Sequence, residues 1–398
     1  MSEVQWTRVS PGRSSPEFTR ALMDPRRDPG GSFPTAEQEL LLQAILTEGE
    51  EGIDAYRQWK SQIHIDFLDS GSYRLLPQLY ARLSREKIED ELLPKLKGLY
   101  RYHWAKNQML FDRAAALVNE LRKQSVEVMV LKGVSMTASY YGDLGLRPME
   151  DFDFLVPRQA VSRVVGWMKK NGFSPADPSY VEPNFNRHGI NFINRESLGF
   201  DVHWFVIHHR CWEEVTEVFW ERKVPLAFRG IEAFSLCPTH LFFHVCVHGL
   251  RWSGSAHLRW VTDAVRLLRK DEIDWSHFLE LGEKLRLQVP LRECLGYLNS
   301  RWGLAFPKEV LDSLRRASTH PLEEKEFRVL NGRPTFWGEL PSLWCRHRMR
   351  GRILSEKTGG RTFLRFLVEW YGKKNFLGLT RELALRSVRK LRKAFSLA

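Results

Sequence analysis

The sequence predicts an α+β protein in which a small mixed β-sheet is embedded between an N-terminal and a C-terminal helical region. Three observations predict it. Apolar residues recur at helical spacing through the first third of the chain. From residue 126 to about 203 the pattern changes to short valine-rich and alternating runs, and beyond Cys211 helical spacing returns. With 398 residues the chain can build more than one packed unit.

Residues 1–34 are rich in Pro, Gly, Ser and Arg without periodicity and read as a mobile leader. Thr35 with Gln38 three places on is a capping-box pattern, so a helix is expected to begin there, ahead of Leu40, Leu41, Ala44 and Ile45. Helical spacing continues through LLPQLYARL and through Leu110, Ala114, Leu117 and Leu121, which share one helical face. Val126 to Leu131 reads as a buried strand entering a turn at Lys132-Gly133, with a turn or two of helix over Ser135 to Tyr141. DFDFLVP, from Asp151 to Pro157, alternates like a strand, and residues 159–170 are helical again up to Asn171-Gly172. HGINFIN and GFDVHWFV flank Arg195 to Leu198 as an antiparallel hairpin. After Cys211 only helices are expected: 238–250, 257–270, 275–286, 288–300, 308–317 and two in the tail. The expected division is therefore a leader (1–34), helices (35–123), a sheet core (124–210), a helical region (211–345) and basic helices (346–398).

Composition narrows the function. Hydrophobic residues make up 43% of the chain and 14 residues are Trp, enough for packed cores. No run approaches the roughly 18–20 apolar residues needed to span a bilayer, and the N-terminus lacks the apolar core of a secretory signal. Five cysteines, none in C-x-x-C spacing, do not suggest a disulfide framework. A cytoplasmic protein is expected. The formal charge of +12 lies wholly in residues 346–398, and the remainder is neutral. That argues less for a nucleic-acid-binding body than for one basic end, with residues 375–398 as a possible polyanion contact.

Alternate residues of a strand face the same way, so Asp151 and Asp153 share one face and Phe152 and Phe154 the other. By the same rule Asp201 and His203 share a face. If the two strands are neighbours, three carboxylates converge, which is costly unless a cation neutralises them. Two Mg²⁺ ions held by Asp151, Asp153 and Asp201 would clamp the oxygens of a phosphoryl displacement. Lys132, Gly133 and Ser135 at a strand-to-helix turn suit a phosphate. Arg147 is placed to pair with a triphosphate or to brace Asp151 or Asp153. His203 either contacts acceptor or phosphate, or hydrogen-bonds Asp201 and holds its rotamer; the supporting role is favoured. His240, His244 and His248 have a spacing at which histidines can share zinc, though hydrogen-bonded core histidines are the commoner case. His208 and His209, next to Arg210, read as loop residues.

A strand into Lys132-Gly133, then L-R-P-M-x-D-h-D-h-L-V, then h-D-h-H-W, resembles an uncharacterised branch of the polymerase-beta-like nucleotidyltransferase superfamily. The likeness covers roughly residues 70–270 and includes LLPQLYARL, His244 with His248, and Arg259-Trp260-Val261-Thr262-Asp263. The superfamily's Gly-Ser or Gly-Gly turn is here Lys132-Gly133-Val134-Ser135, with Ser135 displaced by one. The resemblance implies transfer of a nucleoside monophosphate from an NTP, with ATP the expected nucleotide, to an acceptor hydroxyl. The acceptor is open among small molecule, peptide, protein and RNA. The alternative is a catalytically silent nucleotide- or RNA-binding module of the same fold.

Overall fold

The computed structural model describes residues 31–177, 182–250, 258–332, 339–354 and 360–395, with side chains for all of these but 361, 386, 387 and 389–395. Contacts divide the chain into two compact units, each built from two separate segments: residues 1–73 with 242–334, and residues 74–241 with 335–398.

The first unit is helical among its described residues. Its first helix, Ala36–Leu46, starts where the sequence places it. The Thr35 hydroxyl accepts a bond from the Gln38 amide while Gln38 Oε1 accepts one from the Thr35 amide. Leu41, Leu42 and Ala44 carry its buried face. Glu39 accepts a 2.8 Å bond from the Tyr297 hydroxyl, tying this helix to the one over Gln288–Trp302.

The second unit carries a seven-stranded mixed sheet. Its strands are β1 (Met129–Val130), β2 (Asp151–Leu155), β3 (Ser174–Pro175), β4 (Gly189–Ile193), β5 (Gly199–His203), β6 (Val224–Phe228) and β7 (Ile231–Ser235), in the order β3-β4-β5-β2-β1-β7-β6. β2 runs parallel to β5 and β1 parallel to β7, and the remaining neighbours are antiparallel. One face is apolar. Phe152, Phe154, Phe200 and Val202 pack with Leu110, Ala114, Leu117 and Leu121 of the 31-residue helix Leu93–Lys123, and with Val161, Val164 and Met168 of helix Val161–Lys170. Phe152 stacks on Phe154 at 5.2 Å and meets Phe200 edge-on at 6.1 Å. That burial fixes the register, because a slip of one residue would turn the phenylalanines out and the aspartates in.

The expected hairpin over HGINFIN and GFDVHWFV is β4–β5. The expectation of helices alone after Cys211 is corrected: β6 and β7 form a second hairpin, and β7 extends the sheet beside β1. Its signal lies in the sequence. Leu226, Phe228, Ala233 and Ser235 alternate inward around Arg229-Gly230, whose φ angles of +50° and +72° make a two-residue hairpin turn. A helix over Pro321–Asn331 is also additional to those expected, and the tail holds helices Leu340–Ile353, Gly360–Trp370 and Phe376–Phe395. Among the described residues no helix is long and apolar enough to cross a membrane.

Candidate active site

The polar face of β2 and β5 carries the site. The parallel register sets Asp153 directly beside Asp201. Both are buried, as is His203, and one ligand atom from each of the three lies within 4.8 Å of the others. This is the one group of three or more potential metal ligands among the described residues. Asp151 precedes them on the same face, half-buried, and its charge acts on Asp201.

Three side chains hold the cluster. The Lys132 ammonium forms an ion pair with Asp153 Oδ1. His203 Nε2 donates to the same oxygen at 2.9 Å, so the supporting bond expected between His203 and Asp201 goes instead to Asp153. Register is the reason: His203 lies opposite Leu155, one step diagonal to Asp153 on the shared face. Asp201 is held from its other side, where Asn191 Nδ2 donates to Oδ2 at 2.8 Å across the β4–β5 pair.

The electrostatics separate the two carboxyls. Burial pushes Asp153 up, but the Lys132 charge and the His203 bond outweigh it and hold the group well below the usual carboxylate range. Burial, then the charges of Asp153 and Asp151, push Asp201 up to about 8, with Lys132 offsetting only part. Burial and the Lys132 charge push the His203 ring down, against the pull of Asp153, so the ring is held neutral. Its Nδ1 is buried with no hydrogen-bond partner among the described residues.

The strand-to-helix turn is present. Helix Lys132–Met136 follows β1 directly and runs into a π-helical turn over Thr137–Tyr141. Lys132 holds φ +46°, a left-handed conformation costing about 1–2 kcal/mol for a residue with a Cβ. Gly133 is closely packed: a Cβ there would stand 2.9 Å from Met149 Sδ and 3.1 Å from Arg147 Nη1. Arg147 is thus buried against the turn, and its carbonyl accepts a 2.9 Å bond from Asn107. Ser135 is fully buried and its hydroxyl shares a 2.5 Å bond with Ser235 of β7. The hydroxyl expected to face a phosphate is thus engaged with β7. Glu150 is exposed and pairs with Arg74.

Two features escaped the sequence. Asn191 is set beside Asp201 by the register of a hairpin whose tip is Asn194–Leu198, so counting back from that tip would have found it. His188 and His208, one of them read as a loop residue, meet at 2.8 Å through their Nδ1 atoms, and the His188 ring lies 5.0 Å from that of His203. The stripe on helix Pro238–Gly249 is core-like: His240 packs edge-on against Phe219 at 4.8 Å, and the His244 and His248 rings stack at 5.4 Å.

The donor set suits a hard divalent cation. Two buried carboxylates lie side by side, one of them pushed up to about 8 by burial and then by its neighbours' negative charge, and the His203 imidazole adds a nitrogen donor.

Residues 72–303 match the model of a family described as uncharacterised nucleotidyltransferases. No curated protein matches significantly. Among solved structures, an antigenic nucleotidyltransferase-like protein from Paracoccidioides brasiliensis is 13% identical, with a TM-score of 0.35, over 52% of this chain and 92% of that one.

Proposed function

Because the chain belongs to the uncharacterised nucleotidyltransferase family, we propose that it moves a nucleoside monophosphate from an NTP, ATP in the first instance, to an acceptor hydroxyl, using Mg²⁺. The observation that carries this reading is the parallel register that makes Asp153 and Asp201 neighbours, with Asp151 on the same face and His203 on Asp153. Asp151, Asp153 and Asp201 would hold the cations. Bound there, divalent cations supply neutralisation of the triphosphate and of the negative charge that develops in phosphoryl transfer.

The chain's own groups do the rest. In the reaction the acceptor oxygen forms a bond to the α-phosphorus, the bond from that phosphorus to the β-phosphate oxygen breaks, and pyrophosphate leaves. The acceptor proton passes to a carboxylate oxygen of Asp201, which stands beside Asp153 on the shared face. Asn191 and the sheet hold that oxygen in place. His203 and Lys132 fix Asp153, and the Lys132 ammonium, at the strand-to-helix turn, is close enough to exchange its carboxylate partner for a substrate phosphate. Arg147 and the Gly133 turn back that position. Such catalysis is mainly positioning and charge stabilisation.

The test is incubation of pure protein with Mg²⁺ and each α-labelled NTP, following pyrophosphate release and any acceptor that gains a nucleotide mass. Asp153→Asn is expected to abolish both, and full transfer by that variant would end this reading. One observation favours the silent-module alternative: Lys132 forms an ion pair with Asp153 and so occupies one carboxylate of the cluster. That alternative predicts NTP binding with no pyrophosphate release under any acceptor screened.

A further inference from the structure

The tail helix Phe376–Phe395 has two unlike faces. Leu379 is buried in one cluster with Phe366 and Trp370 of the preceding helix, and Leu383 packs against that cluster. Glu382, on the same side, is buried and forms a 2.8 Å ion pair with Lys373. Asn375 Oδ1 accepts a 2.9 Å bond from the Gly378 amide and secures the first turn. On the opposite face Leu377, Arg381, Ala384 and Val388 recur at helical spacing with Leu385 beside them, and all five are exposed. Leu377 is 78% exposed, and Leu385 and Val388 are each 45% exposed. From Leu377 to Val388 the stripe runs about 16 Å along the axis. Phe376, where the helix starts, is exposed as well.

Charge follows the same division. Residues 371–398 include eight Lys or Arg and a single acid, Glu382, and that acid is the one turned inward. The stripe thus sets aliphatic side chains beside Arg381, with Lys374 exposed just ahead of the helix. Aliphatic surface left in water is unfavourable, and a contiguous exposed patch of it marks a contact surface. A nucleic acid would engage the basic groups but offer leucine and valine nothing, since its recognition runs on phosphate charge and on stacking against aromatic rings. The interface of an anionic bilayer meets both chemistries: lipid phosphates attract Lys and Arg, and the acyl boundary takes up leucine and valine. We propose that the outward face of helix Phe376–Phe395 docks on an anionic lipid surface, with the helix lying in the plane of the headgroups. Leu379 and Leu383 already hold the helix folded, so docking does not have to order it first. No residue of the carboxylate site takes part, and docking is therefore independent of nucleotidyl transfer.

The experiment is flotation of the full chain at about 0.15 M salt, with vesicles of phosphatidylcholine and phosphatidylglycerol in equal parts or of phosphatidylcholine alone. Wild type is expected to partition onto the anionic vesicles roughly tenfold or more better than onto the neutral ones. Leu377→Gln combined with Leu385→Gln keeps the charge and removes most of the aliphatic stripe, so its partitioning onto anionic vesicles should fall roughly tenfold or more. Both side chains are exposed, so this variant should keep the wild-type Tm. Lys374→Gln combined with Arg381→Gln should partition more weakly and with a shallower salt dependence. Wild-type flotation by the leucine variant overturns the docking face, as does equal flotation with both kinds of vesicle. Binding of single-stranded RNA at the same salt without vesicle binding would overturn it in favour of a nucleic-acid contact.

Discussion

Removing the proton from Asp201 should destabilise the metal-free protein, and the size of the effect follows from the site. The group is 9% exposed, an ordinary aspartate titrates near 3.8, and burial with Asp153 and Asp151 pushes this one up to about 8. A carboxyl raised on folding contributes stability that is complete below the unfolded value and is lost as pH climbs through the folded one. Between those limits the folded chain binds one proton more than the unfolded chain, so stability falls by about 1.4 kcal/mol for each pH unit. From pH 6 to pH 9 the loss is roughly 3 kcal/mol, since the fall levels off above 8. The assay is urea unfolding in EDTA at pH 6, 7, 8 and 9, comparing wild type with Asp201→Asn. The variant keeps the Asn191 contact but has nothing to titrate. His203, which is pushed down and works in the opposite sense as pH falls through its ordinary value of 6.5, is common to both proteins and cancels in the difference. Wild type should lose stability across this range relative to the variant, and added Mg²⁺ should remove the difference by releasing the proton. Parallel pH profiles for the two proteins would refute the account of Asp201 as a carboxyl crowded by its neighbours.

Other outcomes follow from the packing. Phe152→Ala removes a fully buried ring stacked on Phe154, and should cost about 3–5 kcal/mol and lower Tm in thermal unfolding. Gly133→Ala puts a methyl 2.9 Å from Met149 Sδ; overpacking of about 1–3 kcal/mol is expected in urea unfolding, and Gly133→Ala with Met149→Ala should recover part of it. Thr35→Ala deletes the cap of helix Ala36–Leu46 and should cost about 1 kcal/mol, read as faster amide exchange over that helix's first turn.

The phenylalanine–aspartate alternation of β2 and β5 explains why so much of the site was legible. A strand has a period of two, so a run such as DFDFL states which side chains face the core and which face away. The capping box at Thr35 was equally legible because it involves residues three apart. What failed was of longer range or weaker pattern. The β6–β7 hairpin was hidden because Arg229-Gly230 is an uncommon turn pair and because Pro225 and Ala227 dilute the alternation. The role of the tail was read from net charge along residues 375–398, several of whose side chains lie outside the described residues, whereas the tail arginine packed against the sheet unit is Arg346.

By itself the sequence determined which residues share a strand face and where the first helix starts. Those are properties of residues within a few positions of one another, set by backbone periodicity and local hydrogen bonding. Only tertiary structure decided that Asp153 rather than Asp201 takes the His203 bond, that Ser135 turns to Ser235, and that Arg187 and Arg346 share the Trp370 ring. Each of these joins segments far apart in the chain, and is fixed by strand register and by which surfaces the apolar core brings together.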